Sequence, residues 1–495
     1  MRSRISTTVL VGLCHIILAG CANSPSIQTE GHLELPRPVY VTKGAPAGEF
    51  AEISSVSLVR PVNYPTPQDD DSKSDNDEKN SASNDSATNR VDFLIKEALD
   101  RNPRLARLHQ EYQAASARSQ YVDKLPDPKL GANFFGNPLE TATGSQRSNM
   151  HLSQKVPWFG RLDAEKQRAD YEAMAVRADF IAEQLRVIAG IRAGWYRLYV
   201  IGKQIEIANA NQDLLNSLIA VANARIATGN ASQGDVLLGT LELSQLEERL
   251  LTYHKQRRAV EVEVNRLVGR SANISIDVPA KLNVGIVELS AAEIHQISLE
   301  NQPEIEAARL RTQATQQGIE VARLRRRPEM TFSASYFFTD GNRPPSSVID
   351  VGEDPWAVGV QVSLPLWRQK YDAIENEAKL KHQAAHSSVK ELSDRYDALI
   401  LDLVTEAKRS AETVRLYRAT ILPQARQTLS ADQKSYSNGT VEFDRVIQDY
   451  RNLLTLEVGY HKSLGDVAVT HTRLQQAAGQ DLEFTELLDT SSEEK

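Results

Sequence analysis

Two runs of strict alternation stand out from a chain whose apolar positions otherwise follow a helical spacing. In one, Met330, Phe332, Ala334, Tyr336 and Phe338 oppose Thr331, Ser333, Ser335 and Thr339; in the other, Trp356, Val358, Val360, Val362 and Leu364 oppose Ala357, Gly359, Gln361 and Ser363. A period of two is that of a strand. The connection from Asp340 to Pro355 is rich in Gly, Pro, Asp and Ser, which predicts an antiparallel hairpin with a long polar loop. From Gln369 the spacing turns helical and holds to Asn438-Gly439, with Pro423 as its interior interruption. Such a helix is roughly 100 Å long, more than an ordinary globular domain needs. Within it Ala385, Val389, Leu392, Tyr396, Leu399 and Leu403 step by alternate fours and threes, as Ile205, Ala208, Gln212, Leu215, Ile219, Ala222 and Ile226 do earlier. These are coiled-coil seams, and helices with so narrow an apolar stripe pair side by side, as the walls of a hollow cylinder would. A strand pair with an apolar outer face on such helices predicts a membrane-embedded sheet standing on a helical tube. Met330, Phe332, Tyr336, Phe338, Trp356, Val358, Val360, Val362 and Leu364 are its expected lipid-facing residues.

The same order of elements occurs twice. Ala98-Leu99-Asp100-Arg101-Asn102-Pro103 matches Ser298-Leu299-Glu300-Asn301-Gln302-Pro303, and Pro128-Lys129-Leu130 matches Pro328-Glu329-Met330. Leu152 to Pro157 aligns with Val360 to Pro365, and Ala227-Thr228-Gly229-Asn230 with Ser437-Asn438-Gly439-Thr440. Each half reads helix, hairpin, very long helix, tight turn, return helix. The first hairpin is the weaker: Leu130, Ala132 and Phe134 alternate with Gly131, Asn133 and Phe135, and its return run is Met150 to Val156. Strands of about nine residues suit tilted transmembrane strands, whereas nothing after Leu18 is apolar enough for a spanning helix. Four strands in lipid leave two open edges, which the hydrocarbon core does not tolerate. Closed barrels begin at about eight strands, so two or more protomers are expected.

At the N-terminus Arg2 and Arg4 precede the apolar run Val9 to Leu18, which ends in Leu18-Ala19-Gly20-Cys21. This resembles a lipoprotein signal cut before Cys21, the expected lipidation site; the alternative is a plain secretory signal with an incidental cysteine. Ala22 and Asn23 follow, a pattern that in Gram-negative lipoproteins favours the outer membrane. The other cysteine, Cys14, lies within the signal, so the mature chain is expected to have neither a disulfide nor a thiolate metal site. Thr66 to Asn89 carries seven acids against two lysines, and the tail from Asp481 six acids against Lys495. These segments outweigh the net charge of −8, leaving a near-neutral body without the basic field of a nucleic-acid binder. The expected organisation is a signal (1–20), a lipidated, acidic, low-complexity arm (21–90), two structural repeats (91–290 and 291–480) and an acidic tail (481–495). The arm is too poor in apolar residues to offset its ordering entropy.

The Gln154-Lys155-Val156-Pro157-Trp158-Phe159-Gly160 run, the Ser363-Leu364-Pro365-Leu366 run, the paired tips at Gly229 and Gly439 and the duplication together resemble the TolC family of outer-membrane efflux channels, over roughly residues 91 to 480. The resemblance implies a fold that is mainly α with a small β-barrel: long coiled-coil helices form a periplasmic α-barrel, and four transmembrane strands per protomer complete a 12-stranded β-barrel in a homotrimer. It implies a passive channel in the outer membrane of a Gram-negative bacterium, in contact with outer-membrane lipid. Its implied partners are a periplasmic adaptor (membrane fusion) protein and an inner-membrane pump of the RND type. Thr228, Gly229, Asn230, Asn438, Gly439 and Thr440 would then be adaptor-docking tips at the periplasmic mouth. Asp235 and Asp444, shortly after each tip, would form rings of three at a pore constriction; the competing reading is a favourable charge at a helix start. A second acid one turn on, carried by some relatives, is absent after Asp444, where Ile447 stands.

Little else suggests chemistry. His382 and His386 share a helical face with zinc-ligand spacing, but no third ligand lies nearby in sequence. Methionine is nearly absent from the mature chain, which gives no soft path for copper or silver. No nucleophile elbow, phosphate loop or metalloprotease motif occurs, so neither an enzyme nor a cofactor is expected. The rival readings are an outer-membrane channel for type I protein secretion and, from another class, a non-transporting coiled-coil lipoprotein or periplasmic adaptor. An adaptor should have one helical hairpin rather than two.

Overall fold

The computed structural model describes residues 86–142, 144–229, 231–277, 282, 284–341 and 352–486. The expectations for Cys21, the acidic arm before residue 86, Asn230, most of the second hairpin loop and the end of the acidic tail lie outside the described residues. In chain order the elements are α1 (Ser86–Arg101), α2 (Pro103–Tyr121), β1 (Lys129–Thr141), β2 (Gly144–Val156), α3 (Arg161–Ala227) and α4 (Gln233–Val268). The second half has β3 (Gly285–Ile286), α5 (Ala291–Asn301), α6 (Pro303–Leu324), β4 (Glu329–Asp340), β5 (Trp356–Ser363), α7 (Arg368–Leu416), a π turn (Tyr417–Ile421), α8 (Leu422–Ser437), α9 (Phe443–Ala478) and β6 (Thr485–Glu486).

The duplication is built into the packing. Proline has no N–H to extend the helix before it and is well placed to start the next, so Pro103 and Pro303 each separate two helices. Beside each proline a side-chain amide reaches the other end of its own half: Asn102 Nδ2 donates to Leu267 O (2.6 Å), and Gln302 Nε2 to Gln476 O (2.8 Å) and Ala477 O (3.1 Å). The return helices α4 and α9 end at Gly269 (φ 82°) and Gly479 (φ 80°). There a Cβ would meet the Arg101 and Asn301 carbonyls at 2.7 and 2.5 Å, so the left-handed turn and the close approach both require glycine.

The strands form one antiparallel sheet in the order β1-β2-β4-β5. Its register places Leu130, Leu152, Ala334 and Val358 in one row and Ala132, Met150, Tyr336 and Trp356 in the next. Because Cβ atoms alternate, one face carries these residues with Phe134, Met330, Phe332, Phe338, Val360 and Val362. The other carries Asn133, Asn149, His151, Ser333, Ser335 and Gln361. Gly131 lies opposite His151, whose ring fills the space a Cβ would take (2.2 Å). The apolar face is exposed, Phe134 at 83% and Trp356 at 69%. Among the described residues β1 and β5 are each paired along one edge only.

Three expectations need correction. The return run of the first hairpin is longer than its alternation indicated: β2 begins at Gly144, not Met150, and both strands of that hairpin have 13 residues. The outer half of β2 is polar on both faces and is held by pairing to β1 and β4 across register shifts, so alternation did not reveal it. The seam in α7 passes through Ile400 (0% exposed), not Leu399 (42%), the buried steps being Tyr396, Ile400, Leu403 and Val404. The long helix is also not uniformly α. Pro423 cannot donate an N–H and would crowd the carbonyl four residues earlier, and the π turn just before it, closed by Leu422 N–H on Tyr417 O, absorbs the mismatch. The Tyr417 hydroxyl fills the space over Gly459 of α9, where a Cβ would stand 2.7 Å away.

Candidate functional site at the paired helix tips

Both long helices end in a left-handed glycine. After α8, Gly439 (φ 80°) donates to Tyr436 O (2.9 Å) and Thr440 N–H to Ser435 O (3.0 Å), the paired bonds of a Schellman turn. After α3, Gly229 (φ 74°) donates to Ile226 O (2.9 Å), and Thr228 Oγ1 to Arg225 O (3.0 Å). Thr228, Gly229, Asn438 and Gly439 are exposed, and no atom lies where a Cβ on Gly229 would stand.

Beneath the turns the two helical hairpins are clasped through Tyr436, a residue the sequence did not single out. The residue is 2% exposed and its ring packs, tilted by 53°, against Phe443 of α9 at 5.2 Å. The Arg225 guanidinium of α3 lies 4.4 Å over the same ring, and its Nη1 donates to the Tyr436 carbonyl. The Tyr436 hydroxyl donates to Asp235 Oδ2 of α4 (3.3 Å), while Ser232 Oγ donates to Asp235 Oδ1 (2.7 Å). Burial and then the Asp235 carboxylate push the Tyr436 phenol up against the lowering effect of Arg225, so it remains a donor. The signal in sequence was an aromatic residue between two serines, three residues before a tip glycine. Around the clasp Leu215, Leu218, Ala222, Leu429, Val446 and Ile447 form a small core. Gly239 lets α4 close on Ile219, where a Cβ would be at 2.7 Å.

The two candidate constriction residues therefore differ. Asp235 is half-buried and hydrogen-bonded in the clasp, whereas Asp444 is exposed in the first turn of α9 and acts electrostatically on Arg451. Arg451 Nε bonds the buried Glu242 (2.8 Å), tying α9 to α4. Next to Asp444, Arg445 Nε donates to Asp432 (3.1 Å) and lies 3.9 Å from Asp449, one turn further on. Burial and the Asp432 carboxyl push Asp449 up, with Arg445 opposing them. A carboxyl that holds its proton more tightly when folded loses stability as pH rises from the unfolded carboxylate range through its folded value. Asp449→Asn is therefore expected to raise the melting temperature at pH 7, the gain shrinking as pH falls into the carboxylate range. Melts across that range check it, and an unchanged difference at every pH would contradict it.

His382 and His386 do not form a site together: His382 Nδ1 lies 3.2 Å from Thr315 Oγ1 and 3.3 Å from Thr312 O of α6, while His386 is exposed. Among the described residues no group of three His, Cys, Asp or Glu side chains is placed to hold a metal ion.

The outer membrane efflux protein family model matches residues 94–270 and 294–480. The cobalt-zinc-cadmium resistance protein CzcC of Cupriavidus metallidurans is 20% identical over 363 residues, 72% of this chain and 81% of that protein. The pyoverdine export outer membrane protein OpmQ of Pseudomonas aeruginosa is 20% identical over 345 residues, 66% of this chain and 70% of that protein. The crystal structure of the outer membrane protein VceC from Vibrio cholerae superposes with a TM-score of 0.68 at 20% identity, covering 80% of this chain and 97% of that one.

Proposed function

The chain belongs to the outer membrane efflux protein family, and from that premise we propose that it is the trimeric outer-membrane channel of a tripartite efflux system. The observation that carries the reading is the sheet: four strands with one apolar and one polar face, its outer edges unpaired among the described residues, mounted on helices of up to 67 residues. Unpaired backbone groups are intolerable in hydrocarbon, so edges meet edges. Three copies close twelve strands into a barrel with Phe332, Val358 and Val360 towards lipid and Asn133, Ser335 and Gln361 towards water. The helices continue the pore into the periplasm, and the exposed Gly229 and Gly439 turns dock the adaptor, which joins the channel to an RND-type pump. Cys21 adds a lipid anchor. The channel is passive and performs no covalent chemistry. The names of CzcC and OpmQ attach different cargoes to one fold, so we assign the choice of cargo to the inner-membrane partner.

The purified protein should run as a trimer in mild detergent and conduct ions across a planar bilayer. A monodisperse monomer that keeps its strand content would defeat the barrel closure. At the mouth, Asp444→Asn should lower cation preference, read as a reversal potential in a salt gradient, because three clustered carboxylates share one field. Unchanged selectivity would leave that carboxylate a helix-start charge only.

A further inference from the structure

The two ends of the sheet differ in charge. Antiparallel pairing brings the starts of β1 and β4 and the ends of β2 and β5 to the helical end. At the opposite end the described charged residues are Glu140, Asp340, Glu353 and Asp354 with the single cation Arg147, which pairs with Asp340 (2.8 Å). The helical end is rich in cations, of two kinds. Some are spent on structure: Arg326 pairs with Asp372 (3.0 Å) and Arg323 with Glu375 (3.5 Å), joining α6 to α7, and Arg161 holds Glu165 and Glu329.

Lys155 likewise pairs with Glu329, and Lys124 and Lys166 with Asp123. Five more, Lys129, Arg325, Arg327, Arg368 and Lys370, are exposed and form no ion pair among the described residues; Arg325 acts on Glu377 only through its field. Cations after α6 suit the negative end of its dipole, but Arg368 and Lys370 occupy the first turn of α7, which contains no acid. A cation there opposes the positive end of the dipole. Two cations at a helix start instead add their charge to that of the dipole, a field that fits an anion. Aromatic side chains flank them: Phe159 is 73% and Trp367 77% exposed, and Arg327 lies 6.0 Å over the Trp158 ring. Aromatic rings beside cations at the end of an apolar band are the arrangement of a membrane interface.

We propose that this collar binds the phosphodiester headgroups of anionic glycerophospholipids in the leaflet nearer the helices, an inference that rests on the membrane-spanning reading of the sheet. The Arg325, Arg327 and Arg368 guanidiniums take the phosphate oxygens in bidentate fashion, Lys370 and Lys129 add point charge, and the indole and phenyl rings set the depth. The collar fixes the height of the sheet in the bilayer and orients the acidic end away from that leaflet.

The test uses delipidated full-length protein titrated with phosphatidylglycerol or phosphatidylcholine of the same acyl chains, with bound lipids counted by native mass spectrometry. Phosphatidylglycerol should be retained selectively by the wild type, and the variant carrying Arg325→Gln, Arg368→Gln and Lys370→Gln should bind it at least about tenfold more weakly. Equal retention of the two lipids by the wild type, or undiminished selectivity in the variant, would overturn the proposal. Insertion into phosphatidylcholine vesicles separates the two readings. If both proteins insert, the spanning sheet stands and headgroup selectivity alone decides on the collar; if the wild type inserts into no vesicle, both readings fall.

Discussion

Tyr436→Ala is expected to loosen the helix tips and to raise the basal conductance of the channel. The residue is 2% exposed, its ring packs against Phe443 and lies under the Arg225 guanidinium, so its removal leaves a cavity where four helices meet. Losses of this type are on the order of 3 to 5 kcal/mol. Here the loss falls on the last turns of α3 and α8, which have few other buried contacts to share it. Tyr436→Phe separates the parts: it keeps the ring and removes the 3.3 Å bond to the Asp235 carboxylate, worth about 1.5 to 3 kcal/mol at most. Hydrogen exchange at residues 222–229 and 429–439, together with single-channel conductance, reads both effects. Wild-type protection and conductance in the alanine variant would mean that the tips are held by something other than this clasp.

Acid should weaken the region where the return helix α9 meets the end of the chain. His471 is largely buried, its ring packed edge-on against Phe484 (5.0 Å), and desolvation pushes it down to about 4 despite a hydrogen bond to the Leu482 backbone and the nearby Asp481. An unfolded histidine titrates near 6.5, so the unfolded chain binds more protons through this window. The stability contributed by neutral His471 is thus complete above about pH 6.5 and is lost as pH falls to about 4, a loss on the order of 3 kcal/mol. Carboxylates titrate in the same range, so the informative quantity is the difference between wild type and His471→Gln in denaturant melts from pH 7 to 4. That difference should favour the wild type less, or reverse, as pH falls; parallel curves would show that the imidazole is not held neutral.

Much of the fold was legible because its signals are local. Alternation in Met330 to Phe338 and Trp356 to Leu364 reflects where successive Cβ atoms point, which needs no partner to be known. The glycines at 229 and 439 announce left-handed turns for an equally local reason. The matched Asn102-Pro103 and Gln302-Pro303 pairs revealed a duplication because each half solves the same packing problem at its proline junction.

What the chain by itself did not specify depends on groups distant in sequence. A seam spaced at 3.5 residues drifts from the real helix by about 20° per heptad, and only the packing of α7 against its neighbours decided that Ile400, not Leu399, turns inward. The polar half of β2 has no alternation and is a strand because β1 and β4 offer it hydrogen bonds on both sides. Asp235 and Asp444 look alike in sequence, each a carboxylate in a first turn. They were separated by Tyr436, about 200 residues from Asp235, whose hydroxyl reaches one carboxylate and leaves the other exposed. The unpaired cations at the helical end of the sheet were likewise invisible among 57 lysines and arginines, because whether a cation is free depends on which acids folding brings within reach.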